Sequence, residues 1–214
     1  GICVALADKL ETLVGMFGIG QIPTGDKDPF ALRRHALGVI RMLVEKSLPL
    51  NVLDLVRAAF AGFPPGVLND ANAEVANFVY DRLSGTLREQ GYSAQEVDAV
   101  LSLRPQQLSE VPKRLAAVRA FATLPEAAAL AAANKRVGNI LKKVEGDLPN
   151  AVNAELLQEP AEQGLYQALN QVAPQADATF ATGDYTASLQ TLATLRDPVD
   201  AFFNSVMVNA EDLA

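Results

Sequence analysis

Ile2-Cys-Val-Ala-Leu-Ala-Asp-Lys-Leu-Glu-Thr-Leu-Val-Gly-Met-Phe17 decides the fold class. Its apolar residues Ile2, Leu6, Leu10, Leu13, Val14 and Phe17 recur mostly at steps of three and four. That recurrence lines one face of an α-helix, and an alternating strand lacks it. The same spacing extends outward along nearly the whole chain. After a turn-rich loop over 18–28, Asp28-Pro29 supplies an acceptor for free helix N–H groups and a pre-set φ. This predicts a helix to about Lys46 with Leu37, Ile40, Leu43 and Val44 inward. Pro49 breaks that run, and a further helix is expected over 51–60. Phe63-Pro64-Pro65-Gly66 cannot continue a helix and reads as a domain junction near 64–72.

A longer helix over 73–90 follows, closed by Gly91. Ser93 and Glu96 are spaced as a capping box, and so are Thr123 and Glu126, the second opening a helix to about Val144. Pro105 and Pro112 punctuate the segments between. Past a looser stretch over 145–160, helices are expected over 161–172, 175–182 and 185–195, with Asp197-Pro198 starting a last one through Phe203. The class is therefore all-α, as two tandem helical bundles over 1–68 and 72–214.

Half of the 214 residues are hydrophobic and 20% are charged, enough apolar matter for a sizeable core. The single cysteine, Cys3, cannot form an internal disulfide and fits a reducing, cytoplasmic setting. No run of about 18 apolar residues is free of charge, Pro or Gly, so no membrane partner is expected. The chain opens without Met on residues that already have helix-interior character, as a piece of a longer chain would.

Net charge is −7, and its distribution says more than its sum. Residues 1–71 are balanced and residues 72–103 carry −3. Residues 104–143 carry +6, and residues 144–214 carry −10. A cationic block inside an acidic chain is the sorting that a local polyanion site requires, although solvated charge produces it too. The block centres on Asn134-Lys-Arg-Val-Gly-Asn-Ile-Leu-Lys-Lys143. At about 100° per residue, Lys135, Arg136, Asn139, Lys142 and Lys143 share one arc of roughly 120°. Val137, Ile140, Leu141 and Val144 share the opposed arc and are expected to be buried. Clustered cations with few acids nearby repel each other until an anion arrives. Phosphate suits them, and an amide can read a base edge.

Four segments in order carry a more specific likeness: residues 7–15 (ADKLETLVG), 23–34 (PTGDKDPFALRR), 133–143 (ANKRVGNILKK) and 202–212 (FFNSVMVNAED). Together they resemble the C-terminal region of bacterial glycyl-tRNA synthetase β subunits. The resemblance implies that the first part is the end of an HD-like helical region. It implies that the second is a helical anticodon-binding domain of the DALR type, also found in arginyl-tRNA synthetases. It further implies an α/β heterotetramer that joins glycine to tRNA(Gly), with ATP and Mg used on the α subunit and tRNA held by the β subunit. Asn204 departs from the acid that the family often carries there, which softens any local capping role.

Neither catalysis nor a metal site is expected in the chain itself. Asp8 resembles the last metal-ligand Asp of HD phosphohydrolases, but the lone histidine, His35, belongs to another predicted helix beside Arg33 and Arg34. Gly18, Gly20 and Gly25 lack the strand and the Gly-Lys-Ser/Thr ending of a phosphate loop. Lys27, Arg33 and Arg34 are candidates for RNA backbone contacts. Two rival readings are a structural helical scaffold for subunit assembly and an HD-type phosphohydrolase remnant.

Overall fold

The computed structural model describes residues 1–143 and 151–206. Helices fall into two compact units, Gly1–Leu115 and Ala116–Ala214, and no strand occurs among the described residues. The first unit contains α1 (Ile2–Gly18), α2 (Leu32–Glu45), α3 (Val52–Ala61), α4 (Asn72–Glu89) and α5 (Ala94–Leu101). A 3-10 turn at Leu108–Glu110 runs into α6 (Val111–Ala122), within which the division falls. The second contains α7 (Ala127–Leu141), a 3-10 turn at Ala154–Leu156, α8 (Pro160–Ala181), α9 (Tyr185–Ala193) and α10 (Arg196–Ser205).

The α1 stripe does what its spacing implies: Leu6, Leu10, Leu13, Val14 and Phe17 are buried, and α2, α3 and α4 pack around them. Val39, Leu43, Val56, Val75 and Val79 complete this core. Leu37 is an exception to the expected inward set; at 39% exposure it lines a shallow surface cleft. Asp28 does cap α2, its carboxylate accepting from the N–H groups of Leu32 at 2.8 Å and Arg33 at 3.0 Å. The helix nevertheless starts beyond Pro29, because Ala31 adopts a left-handed conformation (φ 55°).

The Pro64-Pro65-Gly66 turn lies inside the first compact unit. The flanking residues are fastened to α1. The Phe63 ring lies 3.2 Å from where a Cβ on Gly15 would stand, and Leu68 lies 2.8 Å from the same point on Gly18. The backbone and side-chain amides of Asn69 both donate to the Gly18 carbonyl, at 3.0 and 3.2 Å. Two glycines on one helix thus seat the returning chain, and α4 joins α1–α3 in a common core.

Two local expectations fare differently. Ser93 and Glu96 form the reciprocal capping box of α5, at 2.7 and 3.2 Å. Thr123 instead donates to the Ala120 carbonyl at 2.7 Å, finishing α6, and α7 begins after Glu126 with no side-chain cap. Separate helices over 161–172 and 175–182 are also not found, since α8 runs through Pro174. Pro174 and Asn170 are exposed, so the carbonyl that the proline leaves without a donor can turn to water.

The described core of the second unit is thinner and built from small residues: Ala117, Ala127, Ala176, Ser188 and Ala193, with Tyr185 and Leu195. Residues 144–150, part of the stretch expected to be loose, lie outside the described residues. Among the described residues, no single helix is both long and apolar enough to cross a membrane.

The glycines of the first unit give a paired prediction. Gly18→Ala places a methyl 2.8 Å from the Leu68 Cβ and should destabilise this unit by about 1–3 kcal/mol. Gly85→Ala meets nothing within 4 Å inside α4 and should stabilise it by about 1 kcal/mol. Urea denaturation of both variants checks the pair; equal effects would contradict the seating of Leu68 on Gly18.

Candidate nucleic-acid interface

Four of the six basic residues beyond Leu115 fall within 135–143, in a unit that is otherwise acidic. They sit on the second half of α7 and the turn that continues its path. The Lys142 N–H donates to the Gly138 carbonyl at 3.3 Å and the Lys143 N–H to that of Ile140 at 3.0 Å. Lys135, Arg136, Asn139, Lys142 and Lys143 are all exposed. Among the described residues, none of the three lysines meets a carboxylate within ion-pair distance. Arg196, on α10, is by contrast held by Asp200 at 3.6 Å and Asp197 at 4.0 Å. A favourable interaction with the helix C-terminus accounts for Lys142 and Lys143. It does not account for Lys135, which is further back along α7.

Arg136 has a different role from its neighbours. Its guanidinium carbon lies 4.2 Å from the centroid of the Phe203 ring, and Phe203 meets Phe202 edge-on at 5.3 Å. Stacking on a ring leaves the guanidinium edge free to donate, and it fixes the plane in which it does so. Phe202 and Phe203 were legible only as part of the family-like segment; nothing in their spacing points to Arg136. Asn204, beside them, is exposed.

The apolar arc of α7 is not buried as expected. Val137 is 40% exposed, Leu141 is 47% exposed, and Ala127 is the buried residue of this helix. The reason is an open groove of about 570 Å³ between α6–α7 and α9–α10, with Leu130 and Val137 on one wall and Leu189, Leu192 and Val199 on the other. Val144 lies outside the described residues.

In the first unit, the structure separates Arg33 from Arg34. The Arg33 guanidinium donates to the Gly25 carbonyl and its backbone N–H to Asp28, so it staples the loop to α2. Arg34 is exposed and lines a small cleft with Lys9, Ala31 and His35. Lys27 is exposed in the loop, where its backbone pairs with that of Thr24. Other cations of the basic block are structurally engaged. Arg104 donates to Asn77 and lies 5.3 Å from the Tyr80 ring centroid. The Tyr80 hydroxyl donates to the Pro105 carbonyl at 3.0 Å; burial raises its pKa, against an opposite pull from Arg104. Lys113 pairs with Glu110 at 3.8 Å. Asp8 is exposed on α1, and among the described residues no three of His, Cys, Asp and Glu converge as metal ligands would.

A helical unit presenting unmatched cations beside a guanidinium–aromatic stack has the make-up of an RNA-binding module. Residues 130–214 match the model of the DALR anticodon binding domain, which assigns the class. Residues 1–102 match that of the glycyl-tRNA synthetase beta subunit. The chain is 70% identical over its whole length to a glycine–tRNA ligase beta subunit of Paracidovorax citrulli, covering 30% of that protein. It is 67% identical to that of Janthinobacterium sp. strain Marseille and 65% identical to that of Thiobacillus denitrificans. In both cases it is matched in full and covers 30% of the relative. The chain belongs to the glycyl-tRNA synthetase β-subunit family, and it spans about 30% of the length of the curated relatives it matches.

The Arg136–Phe203 stack can be measured on its own. A double-mutant cycle with Arg136→Gln and Phe203→Leu, read by denaturation, should return a coupling of about 0.5–1 kcal/mol. Additive effects would show that the two side chains are merely adjacent.

Proposed function

We propose that this chain is the tRNA-binding part of a glycine–tRNA ligase β subunit, and that its second unit receives the anticodon end of tRNA(Gly). The observation that carries the proposal is the set of exposed lysines on α7 and the turn after it, unmatched among the described residues, inside the region that matches an anticodon binding domain. Lys135, Lys142 and Lys143 are assigned to phosphates. Arg136, oriented by Phe203, is assigned to a phosphate or to the face of an unstacked base. Asn139 shares their face of α7 and supplies a donor and an acceptor for a base edge. Arg34 is a further backbone contact from the first unit. Arg33 contributes through the loop it holds in place.

In this reading the chain supplies affinity and orientation, and bond-making occurs elsewhere. Membership of the family implies a ligase that attaches glycine to tRNA in the cytoplasm as an α/β heterotetramer, with ATP and Mg used on the α subunit. The region over 1–68 is proposed as the end of the HD-like part and the region over 72–214 as the anticodon-binding part. The α1–α4 core nevertheless straddles that border.

Titration of the full chain with glycine tRNA across several salt concentrations tests the proposal. The triple variant Lys135→Gln, Lys142→Gln, Lys143→Gln should bind more weakly. Its slope of log affinity against log salt should be shallower by about 0.7 for each single-stranded phosphate that the variant no longer neutralises. Asn139→Ala should leave the slope in place and reduce discrimination among anticodon sequences. Wild-type affinity and slope in the triple variant would show that α7 is only a solvated face.

A further inference from the structure

The cleft beside Arg34 holds a cluster that anticodon recognition in the second unit does not use. It has a volume of about 290 Å³ and is lined by Lys9 of α1, Ala31, and Arg34 and His35 of α2. All three side chains donate hydrogen bonds, two carry full positive charge, and the cleft lining contains no acid. Among the described residues, neither Lys9 nor Arg34 makes an ion pair. The Nδ1 of His35 is shielded from solvent and has no hydrogen-bond partner, so the ring is not tied down through that nitrogen.

Lys9 is also specifically placed. Its stem crosses α2 at Gly38, where a Cβ would stand 2.7 Å from both Cδ and Cε. The missing side chain at position 38 is therefore what lets the half-buried Lys9 lie against α2 near Arg34 and His35. The backbone is not what makes the cleft attractive to an anion. The N–H groups of Leu32 and Arg33 are taken by Asp28, and those of Arg34 and His35 by the Ala31 carbonyl at 2.9 and 3.1 Å. Any anion held here is held by side chains.

We propose that Lys9, Arg34 and His35 form a binding site for one phosphate group. A tetrahedral oxyanion offers enough acceptors for the ammonium, the guanidinium and an imidazole N–H together. It also relieves the repulsion between Lys9 and Arg34. A phosphodiester of bound tRNA and free phosphate present the same chemistry. The first source rests on the tRNA-binding reading; the site itself does not.

His35 is the only histidine in the chain, so its imidazole carbon–proton resonances report on the cleft directly. In the full chain, titration with inorganic phosphate at fixed pH and ionic strength should shift these resonances saturably, whereas chloride should not. Lys9→Gln or Arg34→Gln should weaken the response about tenfold. In a second arm, the Lys9→Gln, Arg34→Gln double variant is titrated with tRNA across salt. A slope shallower by about 0.7 to 0.9 per phosphate released identifies the RNA backbone as the source. A phosphate response with a wild-type slope identifies free phosphate. No phosphate-specific shift together with an unchanged slope would overturn the site. Because the α7 lysines are intact in these proteins, failure of the anticodon reading registers separately, in the α7 variant.

Discussion

Leu13 and Val14 have almost no exposed surface, and α2, α3 and α4 all close on the α1 stripe to which they belong. That requirement to shield one apolar face accounts for the arrangement of the first unit. It brings α2 against α1, so that Lys9 can cross Gly38, and it brings residues 63–69 back over Gly15 and Gly18. The close approaches at three glycines are consequences of packing, and one of them places a cation beside Arg34 and His35. The second unit obeys a weaker version of the same rule. Its described core is mostly alanine, and a groove stays open along α7.

The two units share an electrostatic feature despite this difference in packing. Each sets exposed or half-buried cations where, among the described residues, no carboxylate answers them: Lys135, Lys142 and Lys143 in one, Lys9 and Arg34 in the other. Some other cations are answered, as Arg41 is by Glu45 at 3.4 Å and Arg57 by Asp54 at 3.7 Å, while Lys27 and Lys46 are single exposed cations outside either cluster. Surface pairs of that kind contribute little to stability. What sets the two groups apart is clustering, several cations close together in a chain of net charge −7. A polyanion approaching such a surface is repelled broadly and accepted locally.

Much of this was legible in the sequence, where local rules act over three or four residues. The α1 stripe, the Ser93–Glu96 box, the closure of α4 at Gly91 (φ 88°) and the cationic face of α7 all follow from such rules. Illegible features depend on what lies across the fold. Pro64-Pro65-Gly66 has the composition of a linker, yet Asn69 and Leu68 fasten the chain beside it to Gly18. Pro174 has the composition of a helix break, yet its exposure lets α8 continue. Val137 and Leu141 fit a buried arc, but burial needs a facing wall, and α9–α10 leave a groove instead. Arg136 reads as one cation among several until Phe203, far along the chain, is found beneath it. Lys9 and Gly38, on separate helices, carry no mutual signal in the sequence.

The central claim is that the unmatched lysines of α7 are where RNA sits, and their chemical accessibility measures it most directly. Amine-reactive footprinting of the full chain, with and without saturating glycine tRNA, compares each lysine with itself. Lys135, Lys142 and Lys143 should lose reactivity on binding, while Lys46, exposed at the end of α2, should keep it. Unchanged reactivity at all three α7 lysines in a demonstrably saturated complex would contradict the account.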